Sequence, residues 1–128
     1  MEASTQIPQP PVVILADDLI WSSRLVAAAR NAEARPAAAR SAAELQVMLT
    51  GAPSGTPVIV DLTGRGYDGV EQVRATVALG HRVLAVGQHE DLPTRKAALA
   101  AGAVRVLSYN KLFTDGPSVV SAFLEGRL

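Results

Sequence analysis

Short, continuously apolar runs alternate along the chain with segments whose apolar residues recur at helical spacing. Val12-Val13-Ile14-Leu15-Ala16 is apolar throughout and rich in β-branched residues, the pattern of a strand covered on both faces of a parallel sheet. Leu19, Ile20, Leu25, Val26 and Ala29 then repeat at a helical period, predicting a first helix over Leu19–Ala32. The stretch Ala34–Ala39 contains Pro36, which a sheet tolerates only at an edge, so it reads as a weak edge strand. Ser41 and Glu44 form a capping-box pattern ahead of Leu45, Val47, Met48 and Leu49, and Gly51 stops this second helix.

The pattern then repeats. A turn-rich loop over Ala52–Pro57 leads into a strand over Val58–Leu62, and a loop over Thr63–Gly69 precedes a helix over Val70–Leu79. Arg82–Gly87 reads as a fourth strand, Thr94–Ala101 as a helix ended by Gly102, and Ala103–Ser108 as a fifth strand. Pro117 is expected to open a last helix running to about Glu125. Five such strand–helix units demand right-handed crossovers and a parallel sheet with helices on both faces, a three-layer α/β sandwich. Residues 1–11, polar and proline-bearing, read as a disordered tail, and residues 12–128 as one domain.

Composition narrows the chemistry. The chain has 128 residues, no cysteine and two histidines, which removes disulfides, thiol nucleophiles and zinc–thiolate centres. Twelve basic side chains balance twelve acidic ones, so no basic stripe exists for nucleic acid or an anionic membrane. No signal peptide and no membrane span is visible, so the expectation is a cytoplasmic protein. With 22 alanines and five aromatic side chains, the core must be built from Val, Leu, Ile and Ala.

In a parallel sheet, ligands bind at the carboxyl ends of the strands, and Asp17, Asp18 and Asp61 all fall there. Three converging carboxylates repel one another unless a cation compensates, and Mg2+, which prefers oxygen ligands, is the natural candidate. The alternative is structural: Asp17 caps the following helix and Asp61 simply ends a strand.

Val13-Ile14-Leu15-Ala16-Asp17-Asp18 resembles the acidic-pair strand of response-regulator receiver domains, the phosphoacceptor modules of two-component signalling. Asp61-Leu62-Thr63-Gly64-Arg65-Gly66-Tyr67-Asp68-Gly69 is similar to that family's acceptor loop, D-L-x-x-P-G-x-D-G. Ala101-Gly102-Ala103 is similar to the turn before its last strand. The resemblance spans residues 12 to about 125. It implies a flavodoxin-like fold with sheet order 2-1-3-4-5, and Asp61 as acceptor of a phosphoryl group from a histidine kinase, a phosphotransfer protein or a small phosphodonor. It also implies Mg2+ held by Asp17, Asp18, Asp61 and the backbone carbonyl of Thr63.

The chain departs from that pattern where the family switches. The family's hydroxyl at the end of the fourth strand is Gly87 here, and its lysine after the fifth strand is Tyr109. Its loop proline is Arg65, and its aromatic in the fifth strand is Val106. Glycine offers no hydroxyl and tyrosine no charge. Two residues are candidates to compensate: Lys111, if the fifth strand continues past Tyr109, and Arg65, if its guanidinium leans over Asp61. His89 stands near Gly87, either over the acceptor or as a plain loop residue, and Trp21 reads as a packing residue.

The expected function is therefore an atypical, stand-alone receiver in phosphorelay signalling that acts through protein contacts. Its partners would be a kinase and an effector, with a homodimer also admitted, and it would not be an enzyme beyond phosphoryl turnover on Asp61. The alternative is a pseudo-receiver that works as a scaffold or dimerisation module without phosphorylation. A nucleotide-binding domain or small enzyme on the same fold ranks lower, because no G-x-G-x-x-G follows the first strand and no G-x-x-x-x-G-K-[ST] occurs.

Overall fold

The computed structural model describes residues 9–128. Five strands, β1 (Pro11–Leu15), β2 (Arg35–Ala39), β3 (Pro57–Asp61), β4 (Arg82–Gly87) and β5 (Arg105–Ser108), alternate with five helices. These are α1 (Leu19–Asn31), α2 (Ala42–Thr50), α3 (Gly69–Ala78), α4 (Leu92–Ala100) and α5 (Tyr109–Leu124). All strand pairs are parallel and the order is β2-β1-β3-β4-β5. This is the flavodoxin-like sheet that the resemblance implied.

Side chains alternate across a strand, so each central strand feeds two cores. Val12, Ile14, Ile59, Leu84 and Leu107 point to the face covered by α1 and α5, where they meet Leu25, Val120 and Phe123. Val13, Leu15, Val58, Val60 and Val83 point to the other face and meet Leu45, Val73 and Ala98 from α2, α3 and α4. The uninterrupted apolar strands are the consequence of being covered on both sides.

Every helix opens on a residue whose side-chain oxygen accepts the backbone N–H three positions on. These caps are Asp18, Ser41, Asp68, Asp91 and Ser108. Gly102 ends the turn after α4 at φ +112°, a conformation L-residues with side chains rarely adopt. Pro36 sits in β2 opposite Val12, at the sheet edge where its missing N–H costs nothing.

Two expectations need correction. β1 begins at Pro11, inside the segment expected to be tail, while residues 1–8 of that segment lie outside the described residues. The last helix begins at Tyr109, not at Pro117. Ser108 caps it by accepting the Lys111 N–H at 3.1 Å, and the helix runs on through a kink at Asp115 (φ −129°, ψ 20°). Proline at 117 has no N–H and its ring crowds the preceding turn, which is why the break falls just before it. Among the described residues, no helix is long and apolar enough to cross a membrane.

Candidate functional site

Asp61 is the last residue of β3 and is fully buried. Its Oδ1 accepts three hydrogen bonds: from the Thr63 backbone N–H at 3.1 Å, from the Thr63 hydroxyl at 3.0 Å, and from the phenol of Tyr109. The Thr63 and Tyr109 hydroxyls also touch each other, closing a small three-membered network on one carboxylate oxygen. Oδ2 is buried with no hydrogen-bond partner. A buried oxygen of this kind ordinarily has a partner, whether protein, water or ion.

The two other acids stand at the same sheet edge, each with a separate task. Asp17 Oδ2 accepts the backbone N–H groups of Arg65 (3.0 Å) and Gly66 (2.8 Å), tying the β3–α3 loop to β1. Asp18 caps α1 by accepting the Trp21 N–H at 3.0 Å. The capping role falls to Asp18, the second acid of the pair, where the structural alternative had assigned Asp17. Among the described residues, no group of three or more His, Cys, Asp or Glu side chains stands close enough to hold a metal ion. Asp17, Asp18, Thr63, Arg65 and Tyr109 line a cleft of about 630 Å3 over this edge.

Neither compensating cation reaches Asp61. Lys111 lies in the first turn of α5, because the fifth strand ends at Ser108, and its ammonium pairs with Asp115 at 2.7 Å. That pairing removes it from the site and corrects the expectation that a continued strand would aim it at Asp61. Arg65 is exposed and serves Asp17 through its backbone, with no hydrogen bond or ion pair from its guanidinium to Asp61 among the described residues. At Gly87, the space a side chain would take is bounded by Leu62, whose Cδ1 lies 3.3 Å from the position of a Cβ. Val106 is buried in the second core and His89 is exposed in the loop after β4.

Two aromatic residues carry more of the site than the sequence reading gave them. Tyr67, which it did not single out, donates its hydroxyl to the Asp61 carbonyl at 2.7 Å, and its ring fills the space beside Gly64. Trp21, read as packing, stacks on Tyr109 with ring centroids 3.9 Å apart and planes 23° apart. The Arg24 guanidinium sits over the Trp21 ring at 5.1 Å.

Both phenols are held neutral. Burial pushes the Tyr67 hydroxyl up from its ordinary range, and the charges of Asp61 and Asp17 push it the same way. Burial also raises Tyr109, its hydrogen bond to Asp61 adds to the rise, and the bond to Thr63 opposes it. A group whose folded pKa is raised contributes stability that is complete below the unfolded value, about 10 for tyrosine, and is lost as pH climbs through the folded value. Tyr67 and Tyr109 are the chain's two tyrosines. Tyrosinate absorbance is therefore expected to stay flat past the ordinary tyrosine range and to rise only with alkaline unfolding; a rise near pH 10 in folded protein would refute the buried phenols.

No protein-family model and no curated protein matches this sequence. Solved structures do match the fold. A response regulator from Thermotoga maritima aligns with a TM-score of 0.77 at 16% identity, over 91% of this chain and 98% of that one. The receiver domain of a Francisella response regulator aligns with a TM-score of 0.78 at 11% identity, over 94% of this chain and all of that one. The chain has the receiver fold. A further similar structure, a Burkholderia pseudomallei response regulator with a phosphorylated aspartic acid, calcium ion and citrate, aligns with a TM-score of 0.73 at 17% identity. It matches over 91% of this chain and 66% of that one. Within the receiver fold, Asp61 and the pair Asp17–Asp18 occupy the carboxyl edge of the central strands, and Tyr109 opens the helix after β5.

Proposed function

We propose that the chain is a receiver-type module of two-component signalling that acts through contacts with partner proteins and keeps its central aspartate closed, so that its output does not depend on phosphorylation. The observation that supports this reading best is Asp61 itself. It is fully buried, and the oxygen it has committed is taken by Thr63 and by a neutral phenol, with no hydrogen bond or ion pair from a Lys or Arg side chain among the described residues. A phosphoryl group added there would bring charge that Gly87 and Tyr109 cannot receive, so it would have little leverage on a two-state equilibrium.

One observation favours the phosphoacceptor reading, with Asp61 as acceptor and a histidine kinase or phosphotransfer protein as donor: Oδ2 is buried and unpartnered, an oxygen that a cation would satisfy. Mg2+ on Asp17, Asp18, Asp61 and the Thr63 carbonyl is opposed in the present arrangement by Tyr109, which lies on Asp61. Asp17 spends only Oδ2 on two loop amides and Asp18 only Oδ1 on its helix cap. A magnesium ion, where receivers bind one, neutralises charge developing on the transferred phosphoryl group. This chain's residues bind one another instead.

Thermal melting separates the two. The melting temperature of the wild-type chain is expected to be unchanged by Mg2+ and by Mg2+ with beryllofluoride, an acyl-phosphate mimic. A ligand at a hundred times its Kd would add about 2.7 kcal/mol, so a shift of that size, lost in Asp61→Asn, would reinstate the phosphoacceptor.

A further inference from the structure

We infer that Tyr109 is a latch that closes Asp61, and that its stacking on Trp21 holds the latch shut. The inference rests on the closed-site reading and assigns the closure to one side chain.

Tyr109 is the first residue of α5, and its position is fixed from below by the Ser108 cap. From there its phenol crosses to β3 and donates to Asp61 Oδ1, while the same hydroxyl meets that of Thr63. One phenol thus occupies both the carboxylate oxygen and its nearest local partner. On its outer side the ring lies against Trp21 at 3.9 Å. Trp21 is backed in turn by Arg24, whose guanidinium also sits 5.3 Å from the ring of Phe113. The stack runs from the exposed rim of α1 and α5 to the buried acid, and each member restricts the next. A stacked ring at the start of a capped helix has few rotamers left, so the phenol stays on Asp61 without a charge to hold it.

The other hydrogen bonds at Asp61 come from its own loop. Thr63 is exposed and lies in the chain just beyond Asp61, and Tyr67 serves the Asp61 carbonyl, not its carboxylate. The cleft over the site is bounded by Tyr109 itself. Withdrawing that ring is what would open Asp61 to the cleft.

The test compares melting temperatures with and without Mg2+ and beryllofluoride in wild type, Tyr109→Lys and Tyr109→Ala, each with and without Asp61→Asn. Wild type is expected to show no shift, and both single variants a rise of several degrees that Asp61→Asn removes. Tyr109→Ala decides the matter if the lysine variant does not melt cooperatively, because it clears the cleft without adding charge. If Tyr109→Ala also lacks a cooperative melt, Trp21→Ala serves, and a smaller rise of the same sign is expected because its phenol remains. Folded variants that bind no better than wild type overturn the latch while leaving the closed-site reading intact. A shift already present in wild type overturns that reading itself.

Discussion

Phe123→Ala is expected to destabilise the protein by about 3–5 kcal/mol, the usual range for truncating a buried phenylalanine. For a chain of this length that corresponds to a fall in melting temperature of roughly 10–20 °C. Phe123 is fully buried on α5 and ranks first by volume among the fully buried side chains of the described residues. It fills the layer between the sheet and α1, where its neighbours include Ile14, Leu25, Leu84 and Val120. Around it the core is rich in alanine and valine: Ala28, Ala29 and Ala34 belong to the same cluster. Short side chains cannot lean far enough to close a phenyl-sized void, so the cavity contribution should remain nearly whole.

Arg82 adds to the cost. Its guanidinium lies 5.0 Å from the Phe123 ring and donates to the Phe123 carbonyl at 2.7 Å, so loss of the ring removes a cation–π contact as well. Urea denaturation of wild type and variant gives the difference directly. A loss below about 1 kcal/mol would mean that the second half of α5 does not dock as the structure has it.

How much of this was legible in the sequence depends on how far each feature reaches along the chain. The burial of β1 on both faces is written in five adjacent residues, Val12–Ala16, and needed no knowledge of the partner strands. The helix caps are equally local: Ser41 was read from its own four-residue box, and Asp68 with Glu71 carries the same signal. Asp17 and Asp61 could be assigned to one sheet edge because parallel topology puts every strand's carboxyl end there.

What each acid does at that edge was not legible. The choice between Asp17 and Asp18 as cap is decided by which carboxylate the β3–α3 loop claims, and that loop lies 48 and 49 residues away. The start of α5 was missed for a related reason. Proline at 117 is a strong local mark of a helix start, whereas the true start depends on β5 stopping at Ser108, where pairing with Gly87 ends. That single boundary decides whether Lys111 points along a strand or lies on a helix. It also puts the Tyr109 phenol on a carboxylate 48 residues earlier, a contact with no short-range signature.

Gly69→Ala is expected to be the second large perturbation, at about 3 kcal/mol, the upper end of the usual cost of overpacking. Gly69 is the first residue of α3 and presses directly on the chain just beyond β3. A Cβ there would stand 2.7 Å from Leu62 Cα and 2.8 Å from its carbonyl oxygen. Both are backbone atoms, so no rotamer change relieves the contact, and Leu62 is itself pinned by donating its N–H to the Val86 carbonyl at 2.8 Å. Either α3 lifts from the sheet or the end of β3 moves. Because Asp61 is the residue before Leu62, the second response would disturb the Tyr109 hydrogen bond, and Trp21, the chain's single tryptophan, would report it in its emission. Gly51→Ala is the matched control: at φ −102° with nothing within 4 Å of its Cβ, it is expected to be neutral or stabilising by about 0.5 kcal/mol through loss of unfolded-state freedom. Equal urea midpoints for the two variants would show that the close approach of Gly69 to Leu62 is not a constraint on the fold. A selective loss in Gly69→Ala would tie the start of α3 to the position of Asp61.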